Sequence, residues 1–174
     1  MTNQRRQFLI GVVLVLFFSA FPAYPQTALR PLQGLTVYDD NGKKVASAIG
    51  FGGGPRVGAL PPVIAFTSNG FLLTLSVLRN RFVGTDGGLF FQSTDCSGTP
   101  FFETAFEPAT PHSFVRNHIA YAQAVSTPQR ITAKSVYFGL AVEGCFPINS
   151  EMDGIPAVPV TDLSVHFKPP FTVR

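Results

Sequence analysis

Tryptophan is absent from this chain of 174 residues, cysteine occurs twice, histidine three times, and charged residues make up only 13% of it. Each scarcity narrows the reading. Without Trp there is no indole to mark the core or to stack on a sugar ring. Two cysteines without a C-x-x-C pair, and without a cation next to either in sequence, give no support to redox catalysis. The formal charge of +3 includes Arg5 and Arg6, and without them 11 basic residues stand against 10 acidic ones, a balance of +1. Nucleic-acid binding needs clustered Lys and Arg to displace counterions, so that class is excluded. No window sustains a 3.6-residue apolar repeat, and very little helix is expected.

What the chain has in excess is phenylalanine (18), glycine (16) and proline (15). Spread along a sequence that is 45% hydrophobic, they describe an ordered but turn-rich protein. The first apolar run, Phe8 to Phe21, is shorter than the roughly 20 residues a membrane-crossing helix needs. Arg5 and Arg6 precede it, and Ser19, Ala20, Pro22, Ala23 and Pro25 follow. These are the three regions of a secretory signal peptide. The expectation is a leader over residues 1–25, cleaved between 20 and 28, and one β-domain over 26–174, exported to the periplasm, cell surface or medium. No stable membrane span is expected once the leader is gone. An uncleaved N-terminal anchor is the alternative. Arg5, Arg6, Phe8 and Leu9 also resemble a twin-arginine export signal, although Gln4 and Ile10 depart from it and the apolar run suits the general secretory route better.

Beyond the leader, apolar and polar positions alternate in short runs broken by turns. LTVYDDNGKKVASAIGF predicts a hairpin about Asn41-Gly42 with a type I′ turn. The fragment DDNG lacks the acidic spacing and closing Glu of an EF-hand, so it is read as a turn. A glycine-rich stretch from Gly50 to Pro62 predicts a β–β connection, with no Gly-Lys-Ser/Thr ending for a phosphate loop. A second hairpin turns at Asn69-Gly70, and its returning strand is expected to be half buried through Leu73, Leu75 and Val77. Arg79 and Arg81 read as a solvated strand end. The central hairpin, Gly87 to Phe106, sets Phe90 and Phe91 against Phe101, Phe102 and Phe106 across a turn holding Cys96. Residues 114–125 are expected to form one strand, as are residues 162–167, with a bend at Pro169-Pro170 and a short terminal strand. The fold class is therefore all-β: an antiparallel β-sandwich, with a barrel as the alternative.

Cys96 and Cys145 in an exported chain are most simply a disulfide joining the central hairpin to a later strand. His112, His118 and His166 show no metal-ligand spacing, and a structural role is expected for each. Ser47, Ser68, Ser97 and Ser135 have no G-x-S-x-G frame. Asp95, Glu103, Glu107 and Glu143 are the carboxylates from which a glycosidase-like pair would have to come, and their scatter through loops argues against one. No catalytic residue, cofactor or metal is expected.

FFQSTDCSGTPFF, Glu143-Gly144-Cys145 and the closing DLSVHFKPPFTVR resemble a loose group of bacterial exported all-β proteins to which no activity attaches. They share a D-x-N-G hairpin, a D-C-x-G-x-P turn and a D-L-S ending before a Phe- and Pro-rich tail. The resemblance implies a structural or binding role with a protein or glycan partner. Two other functions stay open: a secreted hydrolase whose site assembles from distant strands, and a carrier of apolar ligands suggested by the phenylalanine excess and low charge.

Overall fold

Alternating apolar positions and frequent turn residues do fold into short antiparallel strands. The computed structural model describes residues 34–52, 60–85, 87–104, 112–139 and 143–174; the stretch expected to be a leader, Phe106, Glu107 and the centre of the glycine-rich connection lie outside them. Strands β1 (Thr36–Tyr38), β2 (Lys44–Phe51), β3 (Pro62–Ser68), β4 (Phe71–Val77), β5 (Phe82–Gly84) and β12 (Thr172–Val173) form one sheet in the order β12-β1-β2-β3-β4-β5. The second contains β6 (Leu89–Phe91), β7 (Phe101–Glu103), β8 (Ser113–Arg116), β9 (Ile119–Gln123), β10 (Gln129–Phe138) and β11 (Gly144–Asp162), in the order β10-β6-β7-β11-β9-β8. All pairings are antiparallel and the sheets pack face to face, so the fold is a β-sandwich. Leu163–His166, α1, is the only helix among the described residues.

The space between the sheets is filled by Val37, Ile64, Leu73, Leu75 and Phe82 from the first, and by Ala120, Ala122 and Val160 from the second. Burying side chains of the size of Leu, Ile and Phe stabilises by about 1.5–3 kcal/mol each. The second sheet also curls. β10 pairs with β6 on one side and with the first half of β11 on the other, while β7 joins β6 to the middle of β11. The resulting half-barrel holds its own small core of Phe101, Ile131, Ala133 and Met152. A third cluster, Leu89, Phe91, Cys96, Phe102, Phe114 and Tyr137, lies beside it.

The disulfide forms as expected, with Cys96 and Cys145 Cα atoms 5.9 Å apart and the two residues 49 positions apart in sequence. Cys96 is fully buried in the turn of the central hairpin; Cys145 is exposed near the start of β11, opposite Tyr137.

Four local expectations need correction. The first hairpin turns through Asp40, Asn41 and Gly42, and of these only Gly42 has positive φ (72°). Its amide bonds Asp39 O, as in a type I turn closed by a glycine bulge, because buried Asp39 takes the Lys43 amide and sets the crossing point. Residues 114–125 are no single strand: Asn117 (φ 49°) and His118 (φ 67°) both enter the left-handed region, and the chain reverses from β8 into β9. Residues 162–167 are not a strand either, since Asp162 ends β11 and caps α1, its carboxylate accepting the Ser164 amide at 2.9 Å. Finally, β4 is buried on both faces from Leu73 to Val77. Thr74 is accommodated there by giving its amide to the Ser113 hydroxyl and pairing its own hydroxyl with that of Thr85.

Candidate binding cleft

Two turns, α1, Glu143 and the C-terminal tail meet at one end of the sandwich. Leu78 N donates to Arg81 O at 2.9 Å, closing the β4–β5 turn and presenting Asn80 and Arg81. The two-residue β8–β9 turn presents Asn117 and His118. Its His118 carbonyl accepts the amide of buried Leu163, which fixes α1 against the turn. The tail then returns, and Phe171 N donates to Arg79 O at 2.7 Å. Between these pieces lies a partly open cleft of about 370 Å³, whose further walls are Phe82, Phe167, Phe171, Pro169, Ser164 and Glu143. That volume is within the range of small-molecule sites.

The apolar side is an aromatic cluster. Phe82 and Phe171 centroids are 4.4 Å apart, Phe167 lies 5.8 Å from Phe82, and Phe66 meets Phe167 edge-on at 6.4 Å. The polar side is a chain of engaged groups. Glu143 Oε2 accepts from Arg81 Nη1 at 2.9 Å, and Oε1 accepts the Tyr137 hydroxyl at 3.0 Å. Burial, helped by the Glu143 hydrogen bond, raises the Tyr137 pKa, so its hydroxyl stays a donor. Arg116 lies over the Tyr137 ring at 4.7 Å and over Phe91 at 5.2 Å, and donates to Cys96 O at 2.8 Å. The cleft is thus linked through Tyr137 and Arg116 to the disulfide. The partners Arg81 and Glu143 are 34% and 44% exposed, so the pair itself stabilises by at most about 1 kcal/mol; its effect is to fix and neutralise the carboxylate.

Of the residues singled out in the sequence, the cleft brings together His118, Glu143 and Arg81. Arg81 is therefore not merely a solvated strand end. The other candidates are elsewhere. His112 stacks on Phe102 at 5.4 Å, and exposed His166 ends α1. Exposed Asp95 holds the Ser97 hydroxyl at 2.6 Å within the hairpin turn, and Glu103 is exposed at the end of β7. Ser135 is buried, donating to Ser93 O and accepting the Cys96 amide. Both carboxylates with perturbed titration, Asp95 and Asp162, are lowered, in each case first by a serine hydroxyl two residues on. A general acid needs the opposite shift. Among the described residues, no three His, Cys, Asp or Glu side chains gather as metal ligands. No helix of these residues is long and apolar enough to cross a membrane.

Asn80, Asn117, Ser164, Phe167 and Phe171 were not singled out in the sequence. Asn117 alone carried a usable signal, because Asn tolerates positive φ and so marks a turn even without a following glycine. No family model, curated protein or solved structure matches the chain.

Proposed function

We propose that the protein is an exported, disulfide-stapled interaction module that binds through this cleft and performs no chemistry. The observation carrying this reading is that both oxygens of Glu143, the one carboxylate lining the cleft among the described residues, are committed to Arg81 and Tyr137. Neither oxygen is without a protein donor, as that of a general base awaiting a substrate proton would be. The leader-like residues 1–25 and the Cys96–Cys145 bond, which suits an oxidising compartment, support export. The resemblance of the turn and tail motifs to exported all-β proteins points the same way.

One alternative has an observation of its own. His118 and Glu143 line the same cleft, as a secreted hydrolase assembled from distant strands would require. Incubating the purified protein with chromogenic ester, peptide and glycoside substrates separates the two. No turnover above the rate without protein is expected. Turnover abolished by Glu143→Gln or His118→Gly overturns the binding reading. His118→Gly suits this test because glycine accepts the positive φ of the turn.

A further inference from the structure

We propose that the ligand of this cleft is an uncharged sugar residue, an assignment that rests on reading the cleft as a binding site and names what it binds. Charge is the first argument. Among the described residues, the Lys, Arg, Asp and Glu side chains lining the cleft are Arg81 and Glu143, already paired at 2.9 Å, and their sum is zero. A phosphate, a carboxylate or an amine entering here competes with one partner for the other and meets a group of its own sign. An uncharged ligand leaves the pair intact.

Polar capacity is the second argument. Asn80 and Asn117 are exposed and line the cleft, and no side-chain hydrogen bond occupies either amide among the described residues. Each amide both donates and accepts, and the Glu143 carboxylate retains lone pairs beyond the two it uses. Hydroxyl groups also donate and accept, so a polyol satisfies mixed partners that a purely accepting anion or a purely donating ammonium does not. The third argument is shape. Half-buried Phe167, steadied by Phe66 and Phe82 and with Lys43 Nζ over its ring at 5.0 Å, gives the cleft an aromatic wall. The C–H face of a pyranose packs on such a wall while its hydroxyls meet the amides. With no tryptophan in the chain, phenylalanine takes the stacking role. A purely apolar ligand would cover the two amides without giving them partners.

The test uses saturation-transfer NMR on the purified protein with the methyl glycosides of glucose, galactose, mannose and N-acetylglucosamine. Galacturonate and glucosamine serve as the charged comparators. Transfer to at least one neutral glycoside, exceeding that to either charged sugar, is expected. The double variant Asn80→Ala, Asn117→Gly should weaken that binding about tenfold. Thr132→Ala, an exposed position on β10, should leave it unchanged. Asn117→Gly preserves the positive φ of the turn, and an unchanged circular dichroism spectrum and melting temperature establish that the variant folds. No transfer to any neutral glycoside, preference for a charged sugar, or undiminished binding by the double variant overturns the proposal. A charged sugar bound in the cleft would leave the protein a binding module and remove only the neutral class. Cleavage of a glycoside would remove the binding reading itself.

Discussion

Tyr137, which donates to Glu143 of the cleft, adds a pH dependence to stability. Burial and the Glu143 hydrogen bond raise its pKa in the folded protein above the ordinary 10.0. The folded state therefore holds a proton that the unfolded state releases. This contribution to stability is complete below pH about 10 and is lost as pH rises through the folded value. Titrating tyrosine absorbance should show one phenol ionising later than the rest, and Tyr137→Phe should remove that phase. The same variant should cost about 1 kcal/mol in denaturant unfolding, since it deprives the half-exposed Glu143 of a neutral donor. Acid acts through Asp95 and Asp162 with the opposite sign. Their serine partners lower both folded pKa values below 3.8, so their contribution is present above that pH and lost as pH falls further. Carboxyl carbon shifts followed by NMR should place both below the ordinary aspartate value, and Ser97→Ala should raise the Asp95 value only part of the way back, since the Ser93 hydroxyl and the residue 97 amide still lower it. Asp95 and Ser97 were legible in the sequence as turn residues because their partners lie two positions apart. The Glu143–Tyr137–Arg81 chain was not, because Arg81 is 62 residues from Glu143 and only the fold brings them together.

Among the elements, β5 and β8 show why the two sheets meet where they do. A Cβ placed on Gly84 would lie 2.6 Å from Phe114 Cα and 2.6 Å from Ser113 O. Both are backbone atoms that cannot turn aside. Gly84→Ala is expected to destabilise by about 1–3 kcal/mol or more, measured by chemical denaturation, by prising β8 away from β5. A value within 0.5 kcal/mol of wild type would contradict that packing. Strand β11 shows how far sequence punctuation reaches. It runs for 19 residues through Pro147, Pro156 and Pro159. The strand tolerates them because it changes partners from β10 to β7 and β9 near Gly154, and because its register slips opposite Ser135 and after Pro159. The hairpin at Asn69-Gly70 was plain, with both residues at positive φ. The Asn117-His118 turn was hidden, since Val115, Ile119 and Tyr121 keep alternating phase across it. Asp162 and Ser164 were likewise an unread helix cap inside an apparently alternating strand.

At the scale of the whole molecule the disulfide joins the parts on which the proposed function depends. Cys145 stands two residues after Glu143 and opposite Tyr137, while the Cys96 carbonyl holds Arg116, which lies over the same tyrosine. The bond therefore clamps the central hairpin to the strand that begins beside the cleft. Closing a loop of 49 residues stabilises by about 4 kcal/mol in the chain-entropy model. Replacing both cysteines by serine should lower unfolding stability on that order, and the cleft end of β11 should lose amide-exchange protection before the sheet of β1 to β5 does. The sandwich class and the staple could be read from the sequence because alternation, turns and an even cysteine pair are local or countable features. The cleft could not, being built from two turns, a short helix and a tail far apart in the chain. The most direct test of an exported, stapled module is intact mass spectrometry of the protein recovered from fractions of its host, alkylated before and after reduction. A mass lacking the leader, with Cys96 and Cys145 alkylated only after reduction, is the predicted result. A full-length mass in the membrane or cytoplasmic fraction, with both thiols alkylated before reduction, would contradict it.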